Sequence, residues 1–143
     1  LEINPKNFPP ANLLSTISGA KNELLDTDAF ALQAGDFYGR TVAKVYRKYE
    51  EILTRNNALD FDDLLLKTVQ LMSKHREALE QLQERFQYVL IDEYQDTNHA
   101  QFMLATALAA KYKNLCATGD PDQSIYGWRG ANIRNILEFE EHY

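Results

Sequence analysis

Tyr88-Val89-Leu90-Ile91-Asp92-Glu93 is a short apolar run that stops on two acids, and Leu115-Cys116-Ala117-Thr118-Gly119-Asp120 repeats the pattern further along. Each run ends the way a buried parallel strand ends. Between them Phe102, Leu104, Ala105, Leu108 and Ala109 recur as one face of an amphipathic helix. Strand, helix, strand is a βαβ unit, and its right-handed crossover makes the two strands parallel. Both acidic ends then lie at the same carboxyl edge, where open α/β sheets bind their ligands. Two strands do not form a stable parallel sheet covered on both faces, so further strands are expected from sequence outside this chain.

Upstream of Tyr88 the pattern is helical. Pro5, Pro9 and Pro10 mark an irregular entry, after which Leu13, Leu14, Ile17, Leu24 and Leu25 follow roughly helical spacing. The stretch from Asp36 to Arg55 is the clearest helix, with Tyr38, Val42, Val45, Tyr46, Tyr49, Ile52 and Leu53 in one stripe and Asn56-Asn57 as its end. Asp60 can cap the next helix, which runs through Leu64, Leu65, Val69 and Met72, with Asp62 and Asp63 at its positive end. A shorter helix is expected from Glu77 to Phe86. The reading is therefore an α/β chain: a mainly helical subdomain over 1–57, joined over 58–143 to part of a parallel-sheet domain. There is no repeat and no low-complexity tract.

The chain has 143 residues, 45% hydrophobic and 25% charged, the composition of a soluble globular protein. No apolar run approaches the ~20 residues of a membrane-spanning helix. It opens on Leu1 with no basic-then-apolar leader, so export is not expected and the cytoplasm is the expected location; the missing Met suggests a true N-terminus elsewhere. The lone Cys116 has no internal disulfide partner and, inside an apolar run, is expected as a packed thiol. The net charge is −6, with seven Lys/Arg against seven Asp/Glu in residues 1–57 and eight against fourteen in 58–143. A local groove can still be positive, so global charge does not decide for or against nucleic acid. Lys44, Arg47 and Lys48 read as a solvated helix face. His75, His99 and His142 lack zinc-ligand spacing. Ser18-Gly19-Ala20-Lys21 lacks the glycines of a phosphate-binding loop and sits in a helical pattern.

Val89-Leu90-Ile91-Asp92-Glu93 has the form of a Walker B element. Phosphoryl transfer from a nucleotide needs a divalent ion, and a carboxylate at a strand end can hold one through water, which suits Asp92. Glu93 can accept a proton from, or orient, the attacking water. Taken alone, an apolar-Asp-Glu run is more often a plain strand-to-loop junction.

The residues that follow change that balance. Asp92-Glu93-Tyr94-Gln95-Asp96-Thr97 resembles the DExxDT-type motif II of superfamily-one DNA helicases of the UvrD/PcrA/Rep type. Gly119-Asp120-Pro121-Asp122-Gln123-Ser124-Ile125-Tyr126-Gly127-Trp128-Arg129-Gly130-Ala131 resembles motif III of that family. Leu59-Asp60-Phe61-Asp62-Asp63-Leu64-Leu65 is similar to the family's helix after its inserted 1B domain. The segments occur in the family's order with comparable spacing, and the resemblance covers essentially the whole chain.

The resemblance implies a RecA-like P-loop NTPase fold, with 1–57 in the 1B subdomain and 58–143 in the 1A motor domain. It implies ATP as substrate, Mg²⁺ served by Asp92, water activated by Glu93, and Gln123 contacting the γ-phosphate or its attacking water. An amide suits that last role because it donates to phosphate and accepts from water without adding charge. Tyr126 and Trp128 would stack on single-stranded DNA, and Arg129 would contact DNA or hold the motif's geometry. Gly127 and Gly130 fit sharp turns and equally fit an ordinary loop.

The function implied is ATP hydrolysis coupled to translocation on single-stranded DNA and duplex unwinding, with 3′-to-5′ polarity and binding at single-strand/duplex junctions. With no Walker A loop in the sequence, the isolated chain is expected to be inactive and to depend on the other motor domains of a longer parent. Two other readings stay open at this point: the motor of a RecB/AddA-type helicase–nuclease, and a non-catalytic DNA-binding module.

Overall fold

The computed structural model describes residues 3–127 and 130–142, the side chain of His142 excepted. The chain forms two compact units, Leu1–Leu64 and Leu65–Tyr143.

The first unit is built from α1 (Pro10–Asn22), α2 (Thr27–Gln33), α3 (Phe37–Arg55) and the opening turn of α4 (Phe61–Lys74). Pro10 stands in the first turn of α1, where its missing N–H costs nothing. The Asp26 side chain accepts from the backbone N–H of Asp28 and Ala29, and that of Asp36 from Gly39, so each aspartate starts a helix by satisfying orphan donors. Leu13, Ile17, Ala20, Val42 and Tyr46 form the core where α1 meets α3. The α3 stripe expected from the sequence is buried at its centre, Val42 and Tyr46, while Tyr38 and Ile52 stay exposed. A 19-residue helix outreaches the 13- and 7-residue helices packed on it. Asp60 caps α4 as expected: its Oδ1 accepts from Asp63 N at 2.7 Å, and Asp63 Oδ2 reciprocates with Asp60 N at 3.3 Å.

Lys21, at the end of α1, is wholly buried and meets three carboxylates: Glu50 at 2.7 Å, Asp60 at 2.7 Å and Asp63 at 3.0 Å. Its ammonium also stands 5.2 Å from the ring centre of Tyr49, whose hydroxyl donates to Asp60 Oδ2. Burial works against the charge on Lys21, but its hydrogen bonds to Asp60, Glu50 and Asp63 outweigh it and hold the ammonium well above its ordinary range. Burial likewise pushes Asp60 up, and Lys21, the Asp63 N–H and the Tyr49 hydroxyl together bring it below the usual carboxylate value. Lys21 is a structural cation, which agrees with the sequence reading that Ser18–Lys21 is no phosphate loop.

The second unit holds the rest of α4, then α5 (Arg76–Arg85), β1 (Val89–Ile91), α6 (His99–Ala109), β2 (Leu115–Ala117), α7 (Arg134–Leu137) and α8 (Phe139–His142). The strands pair in parallel, Val89 with Leu115, Leu90 with Cys116 and Ile91 with Ala117. The crossover helix α6 starts with a full capping box, Asn98 and Gln101 each satisfying the other's backbone N–H. The Gln83 amide donates to Ala107 O at 2.7 Å and ties α5 to α6.

One sequence expectation fails here. The strands are not buried: each alternates half-buried, exposed, half-buried. Leu90 is 78% exposed and its register partner Cys116 is exposed too, so the thiol is not packed. Register partners share a face of a parallel pair, and that face is open. Among the described residues no helix is long and apolar enough to cross a membrane.

Candidate functional site

The carboxyl edge of the strand pair gathers two polar loops. The ladder continues past both strands: Thr118 N donates to Ile91 O at 2.8 Å, and Tyr94 N to Thr118 O at 2.9 Å. The stretches 92–97 and 118–124 are thereby held side by side.

Asp92 follows β1 directly and is exposed. Its Oδ1 accepts from the Thr118 hydroxyl at 2.7 Å and from Glu93 N at 2.9 Å. The Thr118 bond, seconded by the Glu93 N–H, holds the Asp92 carboxyl below its ordinary range, so it is an anion at neutral pH. Both bonds fall on Oδ1, and among the described residues no cluster of three or more His, Cys, Asp or Glu is arranged around a metal position. An exposed, ionised lone carboxylate fits a hard cation that keeps most of its waters, as Mg²⁺ does.

Glu93 is exposed as well, but its carboxylate has a different partner, Gln95. The Glu93 backbone is left-handed, φ 53° and ψ 42°, a region that costs a non-glycine residue on the order of 1 kcal/mol and clusters at functional sites. A 3-10 turn, Tyr94–Asp96, follows at once. Within it Gln95 is fully buried, donating from Nε2 to Glu93 Oε2 at 2.7 Å and accepting on Oε1 from Asp120 N at 3.1 Å. The turn closes on Thr97, whose hydroxyl donates to Tyr94 O at 2.7 Å. Buried Asn135 from α7 donates to Thr97 O and to Thr97 Oγ1, at 3.1 and 3.0 Å, and Asn132 N donates to Thr97 O. Tyr94 packs edge-on against Phe139, with ring centres 5.5 Å apart.

The second loop carries Gln123 at the end of another 3-10 turn, Pro121–Gln123. Asp120 organises it: Oδ1 accepts from Asp122 N at 2.9 Å and Oδ2 from Gln123 Nε2 at 2.7 Å. A Cβ at Gly119 would lie 2.4 Å from Gln95 Oε1 and 3.1 Å from Tyr94 N, so glycine leaves the room the Gln95 amide occupies. Tyr126 is 38% exposed beyond this turn. Gly130 has φ 83° and donates its N–H to Gly127 O, so the sharp backbone turn falls on Gly130 and not on Gly127. Trp128 and Arg129 lie outside the described residues.

The fold thus brings Asp92, Glu93 and the Gln123 loop to one edge, as the sequence led us to expect. It does not pair Gln123 with Glu93 directly. Gln95, Thr118, Gly119, Asp120 and Asn135 were not singled out from the sequence as site residues, although they link its parts. The signal for Gln95 was an amide between two acids in a turn after a strand, a setting in which few partners are available to a buried side chain.

Across residues 1–143 the sequence matches the model of the UvrD/REP helicase N-terminal domain, and the chain belongs to that family. It is 51% identical over 141 residues to the ATP-dependent DNA helicase PcrA of Bacillus subtilis, covering 99% of this chain and 19% of that protein. The PcrA helicases of Staphylococcus epidermidis and Staphylococcus aureus are 52% and 51% identical over the same length. The chain therefore spans about a fifth of these curated relatives.

Proposed function

We propose that this chain supplies the metal-directing and water-activating side of the ATP site in a DNA helicase motor. The observation that carries the reading is the pair of unlike carboxylates, Asp92 and Glu93, held beside the Gln123 loop at one carboxyl edge of a parallel strand pair. Family membership and the relatives named ATP-dependent DNA helicase PcrA support it. In this reading the strands belong to a RecA-like P-loop NTPase domain of a longer parent, residues 58–143 lie in its 1A motor domain, and residues 1–57 belong to the inserted 1B-like subdomain.

Asp92, already ionised, would hold Mg²⁺, and the ion would supply neutralisation of nucleotide phosphate charge. Glu93 accepts a proton from, or orients, the water that attacks the γ-phosphorus. Gln123 exchanges its bond to Asp120 for a contact to the γ-phosphate or the water, so the loop registers whether nucleotide is intact. Tyr126, Trp128 and Arg129 meet single-stranded DNA a few residues on, where aromatic faces stack on bases of any sequence. The parent translocates 3′-to-5′ on single-stranded DNA and opens duplex at junctions. The phosphate-binding loop is contributed by other sequence, since Lys21 is occupied by three carboxylates, and the isolated chain is inactive.

The test is made in the intact parent. Glu93→Gln should retain nucleotide binding and lose most hydrolysis, because the isosteric amide takes no proton. Asp92→Ala should also weaken Mg²⁺-dependent binding. Wild-type turnover in both variants would remove these residues from the chemistry.

A further inference from the structure

Gln95 is a side chain with no exposure, one bond towards each loop and a glycine opposite it. We propose that Gln95 is a positioning residue that aims the Glu93 carboxylate and links it, through Asp120, to Gln123. The proposal rests on the reading of Glu93 as the water-activating carboxylate.

Three observations carry it. First, both ends of the buried amide are used, Nε2 on Glu93 Oε2 at 2.7 Å and Oε1 on Asp120 N at 3.1 Å. An amide offers a donor to a carboxylate from one atom and an acceptor to a backbone N–H from another, without bringing charge. Second, the donor bond ends on a charged acceptor and is short, the strong class of hydrogen bond. It anchors one oxygen of an exposed carboxylate whose backbone is already held in a left-handed conformation. Third, space is reserved for this contact: any side chain at 119 would begin 2.4 Å from Gln95 Oε1. Asp120, whose N–H Gln95 receives, holds Gln123 through Oδ2 at 2.7 Å. The route from Glu93 to Gln123 is thus two intervening residues with no gap in hydrogen bonding. A movement of Gln123 that frees the Asp120 carboxylate reaches Glu93 through one buried amide.

A merely structural Gln95 would affect the fold and leave turnover per folded molecule alone. The intact parent protein is therefore made with Gln95→Met, which has similar bulk and neither bond, and separately with Gly119→Ala, which keeps Gln95 but displaces its amide. Steady-state ATP hydrolysis with single-stranded DNA is measured beside equilibrium binding of a fluorescent ATP analogue. Both variants should lower kcat about 10- to 100-fold, the usual cost of misplacing a catalytic group by a fraction of its reach, with nucleotide affinity within about threefold of wild type. In a Glu93→Gln background neither change should lower the residual rate more than about threefold, because residues acting as one unit are not additive. A folded Gln95→Met protein with kcat within about twofold of wild type would overturn the proposal, as would full multiplication of its effect with that of Glu93→Gln. Loss of the fold in both variants would overturn it in favour of a structural amide. Wild-type turnover in Glu93→Gln alone would instead sink the underlying reading of Glu93, and this proposal with it.

Discussion

Replacing Lys21 by Met should strip the first unit of the cation on which Glu50, Asp60 and Asp63 converge. Glu50, Asp60 and Asp63 converge on the Lys21 ammonium within 2.7–3.0 Å, and Asp63 is as fully buried as the lysine. Met matches the aliphatic stem, so the loss is electrostatic and not a cavity. Removing one partner of a buried ion pair costs about 3–5 kcal/mol, because the remaining charge is left uncompensated. Partial exposure of Glu50 and Asp60 lets water relieve some of this, which favours the lower end of that range. The sign of the pH dependence follows from Asp60. Its carboxyl is held below its unfolded value, so its contribution is present above that value and is lost as pH falls through the folded one. Without Lys21 that depression loses its largest contribution, leaving only the Asp63 N–H and the Tyr49 hydroxyl to oppose burial. The gap in stability between wild type and Lys21→Met should therefore narrow as pH drops from neutrality to below about 4. Hydrogen exchange of α3 and the start of α4 in the intact protein measures this locally, where a whole-protein melt would mix several domains. A loss of protection worth less than about 1 kcal/mol at pH 7 would refute the reasoning. So would a stable variant that had lost ATP affinity, since that is the behaviour of a phosphate-binding lysine.

Two further changes probe other levels. Trp128→Ala in the intact parent should weaken single-stranded DNA binding by the worth of one stacked base, about 1–3 kcal/mol or five- to a hundred-fold, with little dependence on base sequence and nearly unchanged nucleotide affinity. Filter binding at fixed salt beside a thermal melt checks this, and an unstable variant whose folded fraction binds DNA normally would make Trp128 a packing residue. Asn98→Ala removes the capping box of α6 and should lower local stability by about 1 kcal/mol, read as faster amide exchange in the first turn of that helix; unchanged exchange there would remove the cap from the account.

The parts that the sequence made legible are those with a local physical signature. Asp36 and Asp60 announce helix starts because capping depends on residues only a few positions apart, and the α3 stripe announces itself by period. The βαβ unit was legible for the same reason, from two apolar runs that each stop on polar residues. What stayed hidden is set by distance along the chain. Lys21 sits on an ordinary-looking helix, and its partners lie 29, 39 and 42 residues away at Glu50, Asp60 and Asp63. The bonds of Asn135 to Thr97 and of Gln95 to Asp120 are similarly remote. Exposure of Leu90 and Cys116 was misread because an apolar run shows what a strand is suited to meet, not what meets it.

Adjacent carboxylates with one sequence signature come to differ because the backbone reverses between them. Asp92 leaves β1 in the direction of the ladder, so Thr118 on the neighbouring strand end reaches its Oδ1 and keeps it ionised and open to solvent. Glu93 enters the left-handed region one residue later, and its carboxylate is received by a buried amide instead of a hydroxyl at the edge. Had both residues stayed extended, their side chains would have pointed to opposite faces of the strand pair. With the turn, both remain exposed at its carboxyl edge, Asp92 bonded to Thr118 and Glu93 to the buried Gln95 amide. Two carboxylates pressed together would raise each other's proton affinity and do one job between them. Held to separate partners by a single strained residue, the two carboxylates keep the separation that the proposed metal-directing and water-activating roles call for.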